Sequence, residues 1–152
     1  MRLLLEVLRR MARILAVDPG EKRLGIAISD PSGMIATPLA ILEHKSRLID
    51  AAVIASLAEE HQAVKIIVGH ALGDENQPTP QSRRAERLAQ AIQRQTSVTV
   101  ELWDESGSTQ AARQAHILMG ASRRKRLQRG HGHLDDLAAT YILQTYLDSQ
   151  AR

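Results

Sequence analysis

Three groups of carboxylates stand at chain positions a fold could bring together. Asp18 closes the apolar run "RILAVD", Asp104 and Glu105 close "VELWDE", and Asp135 and Asp136 open "LDDLAATYIL". Gathered carboxylates repel, and one of them would take up a proton. Hard divalent cations reverse that balance: Mg2+ or Mn2+ take oxygen ligands and keep positions for water and phosphate oxygens. Two such ions held about 3.5–4 Å apart activate water and stabilise the leaving oxygen of a phosphodiester. Each acid also has an ordinary use. Asp18-Pro19-Gly20 makes a turn, Asp104 caps a following helix, and Glu105, Asp135 and Asp136 favour helix N-termini. Helical phase separates the last pair. With Leu134, Ala138, Tyr141 and Ile142 as the packed face, Asp135 falls at its edge and Asp136 nearly opposite. Asp135 is the better site candidate.

Beside the acids runs a basic stretch. Ser122 to His133 carries Arg123, Arg124, Lys125, Arg126 and Arg129 without one acid. Such a cluster suits a polyanionic partner, while the net charge of +3 alone is also ordinary solubility. His131 and His133 could bind metal or orient a phosphate, although polar loops often hold idle histidines. There is no cysteine, which excludes thiolate metal sites and a disulfide framework. Aromatic residues are only 2% of the chain, so an aromatic platform for stacking bases is not expected. Nothing supports a Ser–His–Asp triad or a zinc motif.

The elements that must position these residues follow from hydrophobic period. A chain of 152 residues points to one domain. Strands are expected at Arg13–Asp18, Arg23–Asp30 and, within "MIATPLAILEH", Met34–His44, joined by tight turns and therefore antiparallel. "DPSG" at 30–33 is a turn signal, and Pro38 marks an edge or a bulge. Ser46–His61 has helical spacing at Leu48, Ile49, Ala52, Val53 and Leu57, with Ser46 as cap. Ala63–His70 is a strand, 71–81 a polar loop, and Gln81–Gln95 a helix with Ala85, Leu88, Ala89 and Ile92 inward. Ser97–Asp104 is the fifth strand, Ser108–Met119 a helix stopped by Gly120, and Leu134–Leu147 the last helix. The expected class is α/β, a mixed five-stranded sheet flanked by helices. No apolar run is long enough to span a bilayer. The opening "MRLLLEVLRRMAR" does not read as a signal peptide, so a cytoplasmic protein is expected. Residues 1–12 read as an N-terminal extension with Met11 as an alternative start, and 13–150 as the single domain.

Taken together, "ILAVDPGEKRLGIAISD", "IIVGHALGDE", "TPQSRRAERLAQAI", "VELWDESGST", "SRRKR" and "LDDLAATYILQTYLD" resemble the YqgF (RuvX) family. Its members were first described as Holliday junction resolvases and are now regarded as nucleases of pre-16S rRNA 5′-end maturation. The likeness covers nearly all of 13–148, in the family's order and spacing. It implies an RNase H-like fold and phosphodiester hydrolysis with Mg2+ or Mn2+. It carries Asp18, Glu105 and Asp135 over as the metal-binding catalytic acids, with Asp104 as a helper. The basic residues Arg123, Arg124, Lys125 and Arg126 would hold nucleic acid, either pre-16S rRNA or branched DNA, in a monomer or homodimer. Two departures stand out. Ser106-Gly107 follow "DE" where the family usually has arginine then leucine, and His70-Ala71 follow "VG" where it has an apolar residue and proline. Loss of that arginine removes a possible phosphate clamp. This keeps open a non-catalytic nucleic-acid-binding module of the same fold. A phosphotransfer enzyme of the sugar-kinase type ranks last, since those use two lobes.

Overall fold

Five apolar runs form one sheet in the order β3-β2-β1-β4-β5, seen in a computed structural model. It describes residues 1–10, 12–105 and 134–151, except for the side chains of 8–10 and 134–136. The strands are β1 (Arg13–Pro19), β2 (Arg23–Ser29), β3 (Ala36–Glu43), β4 (Ala63–His70) and β5 (Thr99–Asp104). β1, β2 and β3 pair antiparallel, and β4 runs parallel to both β1 and β5. The expected mixed sheet is therefore present. Helices α1 (Arg2–Arg10), α2 (Arg47–Glu60), α3 (Pro80–Gln95) and α4 (Leu134–Gln150) accompany it. The helix expected over 108–119 and the basic stretch 122–133 lie outside the described residues.

Strict alternation splits the core in two. Leu15 and Val17 of β1, Leu24 and Ile26 of β2, and Ile66 and Val68 of β4 face α2 and α3. Their neighbours Ala16, Ala27 and Ile67 face α4, which contributes Ala139, Ile142, Leu143, Tyr146 and Leu147. The α4 side is built from small residues, so this helix lies close to the sheet. At Gly69 a Cβ would sit 2.5 Å from Ile142 Cδ1. Side-chain bonds fix the helix along its length. Gln144 accepts from the Ala36 amide at 3.0 Å and donates to the Met34 carbonyl at 3.0 Å. Trp103 Nε1 donates to Thr145 Oγ1 at 3.3 Å, and its ring meets Tyr146 edge-on with centroids 5.2 Å apart.

Local chemistry explains several boundaries. Pro38 satisfies both of its expected readings, because β3 is an edge strand and the register shifts where Ile26 and Ala27 face Ala40 and Pro38. The α3 helix begins at Pro80, one residue before the expected Gln81. Thr79 caps it, exchanging bonds with Ser82, and Pro80 occupies the first turn. Ser46 caps α2 as expected, accepting from the Ile49 amide.

The buried face of α2 differs from the apolar spacing. Leu48, Ile49 and Val53 are 69%, 53% and 38% exposed, while Asp50, Ala51, Ile54, Ala55 and Ala58 are buried. The reason is local. The Asp50 carboxylate accepts from His44 Nδ1 and from the Lys45 amide, which satisfies it inside the fold. That anchor turns the alanine face of α2 toward α3 and the sheet, where small side chains allow close approach.

Candidate active site at the carboxyl rim

The C-terminal ends of β1, β4 and β5 share one rim because these strands are parallel. The register pairs Val17 with Val68 and Gly69 with Trp103, so Asp18 falls level with Gly69. Alternation puts Asp18 on the side of Ala16, which faces α4. Glu105 follows Asp104, and its amide continues the ladder by donating to the His70 carbonyl at 2.9 Å. It lies two residues beyond Trp103, which also packs on the α4 side. Asp18 and Glu105 thus stand on one face of one rim. They are two strands apart, roughly 10 Å across. Both are half-buried, and Glu105 Oε1 is shielded from solvent.

Asp104 and His70, paired in register, take the other parity and belong to the α2–α3 side. Register therefore separates the two members of "DE", and Glu105 is the one on the face of Asp18.

The direction of α4 completes the rim. Ile142 lies against Gly69 near the end of β4, and Tyr146 OH accepts from Lys65 Nζ, near its start, at 3.0 Å. The helix runs antiparallel to β4, which brings the first turn of α4, containing Asp135, toward the end where Asp18 and Glu105 stand. The packed face differs from the expected one. Tyr141 and Ile142 are buried, but the face is centred on Ala139, Ile142, Leu143 and Tyr146. The side chains of Asp135 and Asp136 lie outside the described residues. The choice of Asp135 rests on the helical phase read from the sequence and on the resemblance.

Between the acids, Gly69 leaves a floor formed by Ile142. Gly20, in the β1–β2 turn, has no room for a side chain either: a Cβ there would lie 2.4 Å from the Arg23 carbonyl oxygen. The turn folds back directly beside Asp18, whose neighbour across the ladder is Gly25. The donors on this face are carboxylate oxygens, the type that hard divalent cations prefer. Among the described residues, no group of three or more His, Asp or Glu side chains is arranged to hold a metal ion. Arg123, Arg124, Lys125 and Arg126, expected to bind nucleic acid, lie outside the described residues.

Residues 12–149 match the family model described as RuvX, Holliday junction resolvase. The chain belongs to the RuvX family. RuvX relatives include a protein of Syntrophomonas wolfei provisionally named pre-16S rRNA nuclease. It is 35% identical over 136 residues, covering 90% of this chain and 94% of that one. A relative of the same name from Syntrophus aciditrophicus is 36% identical over 137 residues, covering 90% and 89%. Solved structures show the same fold at low identity. Thermus thermophilus RuvC in complex with a Holliday junction substrate superposes with a TM-score of 0.62 at 13% identity, covering 92% of this chain and 96% of that one. The fowlpox virus Holliday junction resolvase gives 0.58 at 18% identity, covering 90% and 99%. The RNase H-like architecture expected from the motifs is thus the fold of nucleases and resolvases.

Two features of the rim were not anticipated. Gly69 reads as an isolated glycine in a strand, which signals a close approach, but its partner Ile142 is far along the chain. Arginines on α2 and α3 were passed over because their helical spacing matters only once the two helices are side by side.

Proposed function

We propose that this RuvX protein hydrolyses phosphodiester bonds in the 5′-end maturation of pre-16S rRNA, acting in the cytoplasm. The observation that carries the reading is the register that sets Asp18 and Glu105 on one face of the rim. Asp18, Glu105 and Asp135 would hold Mg2+ or Mn2+, whose bound state supplies water activation and stabilisation of the leaving oxygen. The chain's own part is positional. The Gly20 turn keeps Asp18 at the strand end, and the β4 carbonyl at His70 fixes the backbone of Glu105. Arg123, Arg124, Lys125 and Arg126 would supply phosphate contacts, and Asp104 would assist at the border of the site. Residues 13–150 act as one nuclease domain, with 1–12 as an extension. The relatives' name favours ribosomal RNA over branched DNA as substrate.

A second reading is favoured by Ser106, which stands where the family usually has arginine: a nucleic-acid-binding module without turnover. One experiment separates the two. Purified protein is incubated with a pre-16S rRNA 5′ leader and with a four-way DNA junction, with Mg2+, with Mn2+ and with EDTA. The nuclease reading expects metal-dependent cleavage of the RNA, reduced at least about a hundredfold in Asp18→Asn. Cleavage at the wild-type rate in that variant overturns the assignment of Asp18. Salt-sensitive RNA binding without turnover under either metal establishes the binding module.

A further inference from the structure

The β1–β2 turn has a second side. Behind it, between α2 and α3, lies a cavity of about 470 Å3 lined by Pro19, Gly20 and Glu21 of the turn and by Arg47, Arg83, Arg84 and Arg87. Arg47 comes from the first turn of α2, the others from α3. Two carboxylates also reach this cavity, and both are engaged. Glu21 Oε1 pairs with Arg84 Nη2 at 3.2 Å. Asp50 is taken by His44 and the Lys45 amide. Among the described residues, Arg47, Arg83 and Arg87 have no carboxylate partner within 4.0 Å. They are exposed. Arg83 and Arg87 stand one helical turn apart, a like-charge spacing that disfavours the helix. An anion bound among these arginines would relieve that repulsion.

We propose that this groove is a second binding site for the phosphate backbone of RNA, separate from the acidic face and reached around the β1–β2 turn. The class of ligand follows from the chemistry. Guanidinium forks match phosphate oxygens in bidentate fashion. Arg47, Arg83 and Arg87 are exposed and line one groove from two helices, which suits a strand running along the surface rather than a small molecule enclosed by apolar walls. Because the same turn borders Asp18, RNA on the groove would lead directly to the acidic face. The inference builds on the nuclease reading but is tested apart from it.

The test uses full-length protein carrying Asp18→Asn, in EDTA, so that binding is read without cleavage. Affinity for a pre-16S rRNA leader is measured across a salt series, with and without Arg83→Gln and Arg87→Gln together. The expected result is roughly tenfold weaker binding and a slope of log affinity on log salt shallower by about 1.5, since each phosphate contact contributes about 0.7–0.9. Arg2→Gln, an exposed charge on α1 that lines neither the groove nor its neighbourhood, is the control and should change the slope little. Unchanged affinity and slope in the double variant overturn the proposal, as does an equal loss per charge in Arg2→Gln. Thermal unfolding of the variants checks that the fold is intact. The nuclease reading is judged separately, by metal-dependent cleavage with Asp18 restored. A protein that never cleaves but loses RNA affinity in the double variant would retain the groove and lose the nuclease.

Discussion

The β1–β2 turn divides the carboxyl rim into two surfaces of opposite charge. On the α4 side, Asp18 and Glu105 are delivered by strand ends, and parallel register alone decides that they share a face. On the α2–α3 side, the arginines are delivered by helix faces, and their meeting depends on how two helices are rotated. The first kind of site is held by backbone hydrogen bonds and tolerates little movement. The second is held by side chains on helix surfaces and can adapt to a flexible polymer. On the proposed reading, chemistry that needs fixed oxygens would use the strand-end side, and recognition that needs only positive charge would use the helix side.

The sharpest way to break this contrast is Glu105→Gln. The change keeps shape and removes a charge on the acidic face. Metal-dependent cleavage should fall about a hundredfold or more, while RNA affinity in EDTA stays within about twofold of wild type. An equal loss of affinity and cleavage would mean that the two surfaces are not distinct.

Gly69→Ala probes the rigidity of the acidic face. Its methyl would meet three atoms of the buried Ile142, the nearest at 2.5 Å. Overpacking of this kind costs about 1–3 kcal/mol, read as a lower denaturation midpoint at constant slope. Cleavage should drop with it, because α4 is displaced from the rim, whereas the arginine groove on the opposite face should keep its affinity.

The smallest effect is expected at the far rim, where the strands begin and neither surface reaches. Burial would raise the Asp30 carboxyl, but the Ser32 hydroxyl and the amides of Ile35, Met34 and Ser32 outweigh it and lower it from 3.8 to about 2. A depressed carboxyl adds stability that is fully present above its unfolded value and is lost as pH falls through its folded value. That contribution therefore fades between about pH 4 and pH 2. Asp30→Asn should lose part of the stability at neutral pH and show a shallower decline over that acid window in urea melts. Cleavage and RNA affinity at neutral pH should not change.

What could be read from the residues was governed by range. The five strands, their antiparallel start and the pairing of Pro38 with an edge bulge follow from period-2 patterning and turn chemistry, which are local. Asp18 and Glu105 were nominated by their places at strand ends, and register explains why Glu105 rather than Asp104 shares the face of Asp18. The face of α2 was misjudged because its apolar spacing pointed to Leu48, Ile49 and Val53, whereas a buried Asp50 held by His44 governs the rotation. No periodicity reveals such an anchor. The division of Asp135 from Asp136 by phase concerns side chains outside the described residues. The arginine groove escaped entirely, since "SRRAER" looks like a solvated helix surface until Arg47 arrives from another helix.

The Gln144 clasp between α4 and the start of β3 has a consequence during synthesis. A ribosome completes the last strand at Asp104 before it makes the helix that covers Ala16, Ala27 and Ile67, which starts at Leu134. Until residues 134–150 emerge, Ala16, Ala27 and Ile67 lack the apolar partners that α4 supplies. Interrupted translation products should accordingly be cleared or aggregate rather than persist.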